Sequence, residues 1–251
     1  MAEHLPGVAT VISNFVGFAT AIKAYKYGHG IVPLIYIFSV IASSFYHACD
    51  WWAATCIARY QLLRDVDFVF AQSIITTNAM LLIHWVSPDP DAIAYPVGVP
   101  FLQTAFLLFY VLMNALLVAT TDSGFIVQGV VFLASFGVVV VYLLVYRCRF
   151  GRYPKYNMES AVPAVVLSAT SIMLFVFQNS LPRYYGWIHS AWHVLAYGGG
   201  WYWVSVMPVY DALLNIGAKM DVPPMMAVAA TVWRVMPPGA SRPISASKKL
   251  G

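Results

Sequence analysis

Of the 251 residues, 61% are apolar and 10% charged, whereas a soluble domain carries roughly a quarter of its residues charged. So few charges cannot cover a water-soluble surface of this size, so the composition excludes an ordinary soluble domain and points to a polytopic membrane protein. The formal charge of +4 is spread between the apolar runs, which excludes a basic nucleic-acid-binding face.

A membrane-spanning helix needs about 20 mostly apolar residues, and seven stretches qualify. They are residues 5–24, 31–49, 66–86, 99–120, 125–146, 162–181 and 187–210. The first is the weakest, because Ser13 and Asn14 lie inside it. No basic segment precedes it and no small-residue cleavage site follows, so it reads as a retained helix and not a cleaved signal. The connections hold chain breakers: Gly28 and Gly30, Pro88 and Pro90, Asp122-Ser123-Gly124, Gly151 and Pro154, and Pro182. Gly198-Gly199-Gly200 in the last run permits close helix packing or a kink. The expected architecture is an all-α, seven-transmembrane-helix bundle over residues 1–210. Residues 211–251, with Pro223-Pro224, Pro237-Pro238-Gly239 and a Ser/Lys-rich end, read as a flexible cytosolic tail. Its apolar patch, Met225 to Met236, is too short to span.

Loop charges set the orientation. Arg59, Arg64 and Arg183 fall on the side of the N-terminus; the other eleven Lys and Arg, including Lys23, Lys26, Arg147 and Lys155, fall on the opposite side. The N-terminus is therefore expected outside or in a lumen and the C-terminus in the cytosol. Of the three cysteines, Cys49 and Cys56 flank a short loop. They can pair if that loop faces an oxidising compartment, with free thiols as the alternative.

His189 and His193 stand at i and i+4, one turn apart on one helix face. In the expected topology His47 lies near the outer end of the second span, with Ser43 one turn deeper. Asp67 lies near the outer end of the third span. Four ionisable groups from three helices thus reach one depth, although the loop charges that set the orientation did not include them. Three imidazoles suit a zinc ion with a fourth position free for water. His47, His189 and His193 are read as ligands. Asp67 is read as a general base or a hydrogen-bond acceptor, and Ser43 as a group that holds water or donates to a developing oxyanion. The competing readings are structural: Asp67 as a partner for Arg64, with Asp65 the more exposed competitor, and Ser43 bonded back to a helix carbonyl. Gln178 and Asn179 end the sixth span and are either supporting groups or ordinary interfacial residues. His4, His29 and His84 have no spaced partner and are set aside. Trp51-Trp52, Tyr184-Tyr185 and Trp187 read as an aromatic belt.

Ser43-Ser44-Phe45-Tyr46-His47, then Asp67, then His189-Ser190-Ala191-Trp192-His193 resemble the Ser-x-x-x-His, Asp and His-x-x-x-His signature of the CREST superfamily. That superfamily includes alkaline ceramidases, the progestin and adipoQ receptors and myomaker-like proteins. Phe45-Tyr46-His47-Ala48-Cys49-Asp50 followed by Asp67-Phe68 is similar to the myomaker and GPI-processing phospholipase branch. The resemblance implies a seven-helix fold with the N-terminus outside and Zn2+ held by His47, His189 and His193, with Ser43 and Asp67 completing the site. The chain departs from the pattern in having Trp51-Trp52 after the acidic residue, where the family often has a Gly-Pro-Gly-like turn. Its tail also has no cysteine, unlike the animal fusion protein.

Two functions are expected from these features. One is zinc-dependent hydrolysis of an ester or amide acyl bond in a membrane lipid. The other is a non-catalytic, myomaker-like role in membrane remodelling or cell fusion with a structural zinc. A receptor role rests on the superfamily alone. The expected setting is the plasma membrane or an endomembrane, with the metal site towards the extracellular or lumenal side. Membrane lipids are the expected partners, and a homodimer is compatible with the sequence.

Overall fold

The computed structural model describes residues 4–27, 29–83, 98–120, 124–154 and 156–206. Among them the chain is all-helical: α1 (Leu5–Ser13), α2 (Val16–Lys26), α3 (Val32–Trp51), α4 (Tyr60–Met80), α5 (Gly98–Thr120), α6 (Gly124–Phe150), α7 (Met158–Phe177) and α8 (Tyr185–Trp203). Short 3-10 turns cover Ala53–Thr55, Gln178–Ser180 and Pro182–Tyr184. His84, the Pro88/Pro90 connection and the tail from Asp211 lie outside the described residues.

Among the described residues, four segments are long and apolar enough to cross a membrane: Leu5–Lys26, Val32–Trp51, Gly129–Cys148 and Met158–Ser180. The exterior matches them. Leu133, Val141 and Leu144 on α6, and Val165, Val166 and Met173 on α7, are all more than half exposed. The interior instead holds Thr10, Asn14, Ser43, His47, Asp67, Gln72 and both histidines of α8. This is the reverse of a soluble fold and marks a membrane protein. The helices below that apolar threshold are informative in their own right. α4 carries Asp67, Gln72, Ser73, Thr76 and Thr77 inward, and α8 carries His189, Ser190 and His193.

α1 and α2 form one rod interrupted at Asn14-Phe15. The cause is local. Ser13 Oγ donates to Thr10 O at 2.7 Å and Asn14 Nδ2 donates to the same carbonyl at 3.3 Å. The Asn14 N–H turns instead to Val11 O, and Phe15 N–H to Ile12 O at 3.0 Å. Two side chains have taken the acceptor that would continue the α-helical ladder, so the backbone tightens to i→i−3 bonds.

α4 begins at Tyr60, earlier than the apolar run that starts at Val66. Its first turns are polar but helical, and Arg64 pairs there with Asp65 at 3.7 Å. Asp67 is therefore not the partner of Arg64. The apolar core lies where α2, α3, α4 and α8 meet, around Ala24, Val32, Tyr36, Val40, Met80 and Tyr197. α8 continues through its three glycines, and two of them, Gly199 and Gly200, lie against neighbouring helices too closely for a Cβ. A Cβ on Gly200 would collide with the Tyr36 hydroxyl and come 2.9 Å from its Cζ. That hydroxyl donates to Asn78 Oδ1 at 2.7 Å and so ties α3 to α4.

The end of the bundle remote from His47 is closed by the segment just before α7, which bonds the chain after α8 and the chain after α4. The Asn157 N–H donates to Val206 O at 2.8 Å, and the Tyr156 hydroxyl donates to Leu82 O at 2.7 Å. His29, set aside in the sequence, lies 3% exposed in the turn between α2 and α3. Its Nε2–H donates to Val204 O at 2.8 Å. Burial pulls its pKa down from 6.5 to about 4.

Two outcomes are expected in detergent. Gly200→Ala should lower thermal stability by about 1–3 kcal/mol, because Tyr36 must move and release Asn78. Gly198→Ala, whose Cβ meets only Leu167 at 3.8 Å, should melt like the native chain. Acidification gives the second outcome. Neutral His29 stabilises the fold fully above pH 6.5, and this contribution is lost as the pH falls from 6.5 through about 4. The loss amounts to about 3 kcal/mol. His29→Gln, which keeps a donor for Val204, should show a shallower decline in melting temperature over that range; an unchanged decline would refute the assignment.

Candidate metal centre

Five helical segments converge at the opposite end. α3 brings Ser43 and His47 one turn apart. α4 brings Asp67 from its second turn, and α8 brings His189 and His193 from its N-terminal half. The 3-10 turn that follows α7 brings Gln178, and α1 brings Thr10 and Ser13. All of these side chains are buried. The i,i+4 spacing places the two α8 imidazoles on one face by helix geometry alone. His47 reaches them only through the α3–α8 packing.

The three rings form a compact triangle. Centroids are 4.6 Å apart for His47–His189, 4.6 Å for His189–His193 and 5.0 Å for His47–His193. One nitrogen from each ring lies within 4.8 Å of the other two. His47 Nε2 and His189 Nε2 are 3.1 Å apart. Two nitrogens bound tetrahedrally to zinc at about 2.0–2.1 Å stand about 3.3 Å apart, so this edge of the triangle has nearly the ligand spacing.

Proton placement supports the same reading. His189 Nδ1 is 2.6 Å from Gln178 Oε1. An amide oxygen only accepts, so Nδ1 carries the proton and Nε2 keeps its lone pair. His193 Nδ1 is 3.0 Å from Ser13 Oγ, whose own hydrogen goes to Thr10 O at 2.7 Å. Ser13 must therefore accept from His193, and Nε2 of that ring is again bare. His193 Nε2 is buried with no hydrogen-bond partner. A bare, buried imidazole nitrogen beside two others is costly unless something electrophilic engages it. The donor set fits zinc, with three neutral imidazoles and no thiolate among them.

Asp67 stands outside the nitrogen group and accepts a hydrogen bond from the Ser43 hydroxyl. Ser43 thus serves the carboxylate and not a carbonyl of its own helix. Aromatic rings enclose the triangle: Tyr46 lies 4.7 Å from His47, Tyr185 is stacked 5.2 Å from His189, and Trp192 lies 4.7 Å from His193. Tyr185, read as part of an interfacial belt, is in fact a wall of the site.

The α3–α4 connection beside the site is held shut. Cys49 and Cys56 are joined in a disulfide, which settles the pairing that the sequence left open. The Tyr60 hydroxyl donates to Asp50 Oδ1 at 2.9 Å and lies 3.1 Å from the Tyr46 hydroxyl. Gln178 joins the site as a partner of His189, one of its two readings from sequence. Ser13 went unrecognised; its only signal was a polar residue in the weakest apolar run.

Gln178→Leu leaves the His189 Nδ1–H buried without an acceptor. Purified without added metal, this variant should lose about 1–3 kcal/mol of stability, seen as a lower melting temperature. Wild-type melting would show that another group takes the proton.

Residues 3–194 match the family described as Protein of unknown function (DUF3522), a span that includes every residue of this site. The chain is 25% identical over 214 residues to Transmembrane protein 8B of Bos taurus and 24% identical over 214 residues to that of Mus musculus. In both cases the match covers 83% of this chain and 42% of the relative. The chain thus spans less than half the length of these curated relatives. It belongs to the DUF3522 family.

Proposed function

We propose that this DUF3522 family member is a zinc-dependent, integral-membrane hydrolase that cleaves an ester or amide acyl bond of a membrane lipid. In this reading the bundle crosses the membrane seven times, with the N-terminus and the site on the extracellular or lumenal side. The observation that carries it is the bare, partnerless Nε2 of His193 beside two further imidazoles. The disulfide next to His47 supports placing that end in an oxidising compartment. The resemblance to the CREST signature rests on the same residues.

His47, His189 and His193 would hold the ion. When bound, zinc supplies Lewis acidity and brings the ionisation of water towards neutral pH. Asp67 takes the proton as water oxygen bonds to the substrate carbonyl carbon. The acyl C–O or C–N bond then breaks, and Asp67 returns the proton to the departing alcohol or amine. Ser43 holds the Asp67 carboxylate by its O–H, which fixes the direction from which the base acts. Gln178 keeps His189 in the tautomer that presents Nε2. The aromatic walls and buried setting exclude bulk water and suit a carbonyl that lies below the lipid headgroup.

A second reading follows from how fully the site is buried, as structural zinc sites are. There the metal holds α3 to α8, and the protein acts in membrane remodelling or fusion.

One set of measurements separates these readings. Purified protein should carry one zinc per chain, and His189→Ala should lose it. Asp67→Asn should keep the zinc and lower hydrolysis by about 100-fold or more, assayed on phospholipid, GPI and ceramide panels. If zinc-loaded protein cleaves none of these, and cell mixing needs zinc but tolerates Asp67→Asn, the structural reading holds. Folded wild-type protein without stoichiometric metal would sink both.

A further inference from the structure

We propose that Ser13 of the first helical rod is a positioning residue for the candidate metal centre: it locks His193 as the Nδ1–H tautomer and thereby sets the affinity of the site for zinc. The zinc half of this inference rests on the reading above; the tautomer half stands without it.

Ser13 is the last residue of α1 and is buried. Its hydroxyl has one hydrogen, directed at Thr10 O at 2.7 Å. Its lone pairs face His193 Nδ1 at 3.0 Å. With the Ser13 hydrogen committed to Thr10 O, the proton of this pair sits on Nδ1, which leaves Nε2 as the lone-pair nitrogen. This matches the way ligand histidines are oriented through their second nitrogen.

The break in the rod makes this contact. A continuous helix would direct the Asn14 N–H to Thr10 O; here that carbonyl takes Ser13 and the Asn14 side chain instead. The same turn is docked on α8: Thr10 Oγ1 lies 3.2 Å from Gly186 O and 3.2 Å from Ser190 Oγ. The first rod thus adds an acceptor to a cluster whose ligands come from two other helices. The two polar residues that interrupt its apolar run are those that shape this turn.

The test uses the full chain in detergent micelles, with zinc alone as the metal probe. Nitrogen-15 shifts of His193 in metal-free protein report the tautomer. Competition against a zinc chelator of known affinity reports binding. Wild type should show Nδ1 protonated and Nε2 bare. Ser13→Ala should populate the other tautomer and weaken zinc binding about 10–100-fold. Ser13→Thr, which restores a hydroxyl, should recover most of both. Thr10→Val removes a hydroxyl one turn earlier but keeps the carbonyl, and should leave the tautomer as in wild type. A Ser13→Ala protein with wild-type tautomer and zinc affinity overturns the proposal, as does a wild-type His193 protonated at Nε2. If wild type binds no zinc yet Ser13→Ala still shifts the tautomer, the zinc reading fails and the positioning role of Ser13 survives.

Discussion

Three imidazoles in an apolar interior impose a condition on everything around them. Each ring has two nitrogens, and each nitrogen needs either an acceptor for its proton or a partner for its lone pair. The surrounding chain meets this condition at one nitrogen each of His189 and His193 by breaking regular structure, while His47 Nδ1 and His193 Nε2 have no hydrogen-bond partner. α7 ends in a 3-10 turn, and that turn delivers Gln178 to His189. The first rod breaks at Asn14, and the break delivers Ser13 to His193. The irregular backbone stays inside the bundle, where side chains and carbonyls can satisfy it, as an apolar environment requires.

The condition also divides labour among the helices. α6 and α7 present branched apolar side chains outward and contribute no histidine or carboxylate to the site. α3, α4 and α8 carry the chemistry on their inner faces and pack against one another through tight contacts such as Gly200 on Tyr36. A polar residue is tolerable in such a bundle only if it points inward and finds a partner. Ser43 with Asp67, Tyr36 with Asn78 and Thr76 with Ser135 are such pairs. Helices rich in these pairs are less apolar for that reason, so hydropathy alone undercounts the rods nearest the site.

What could be read in the sequence follows from the range of each interaction. His189 and His193 were legible as a pair because helix geometry fixes the i,i+4 relation locally. His47 and Asp67 were legible because topology converts sequence position into depth. Ser13 was not, because its partner lies 180 residues away and no periodicity records which faces of α1 and α8 meet. His29 was passed over for a similar reason: a loop histidine looks exposed until the carbonyl of Val204 is brought against it. The early start of α4 escaped because an apolar run marks where the interior begins, while helix formation continues into the polar turns beyond it.

The placement of Asp67 bears on whether the centre is catalytic. Structural zinc sites complete four protein ligands, whereas catalytic ones keep three and leave a position open. Here three nitrogens gather, and the nearby carboxylate is held aside by the Ser43 hydroxyl instead of joining them. A carboxylate needed only to complete a scaffold would be expected among the ligands, since burying it elsewhere costs desolvation without coordination. Keeping a buried base and its hydroxyl partner next to, but outside, a three-nitrogen cluster is costly for a purely structural centre. That arrangement would gain its value if water had to give up a proton there, and this is the support it lends to the proposed hydrolysis over a static clamp between α3 and α8.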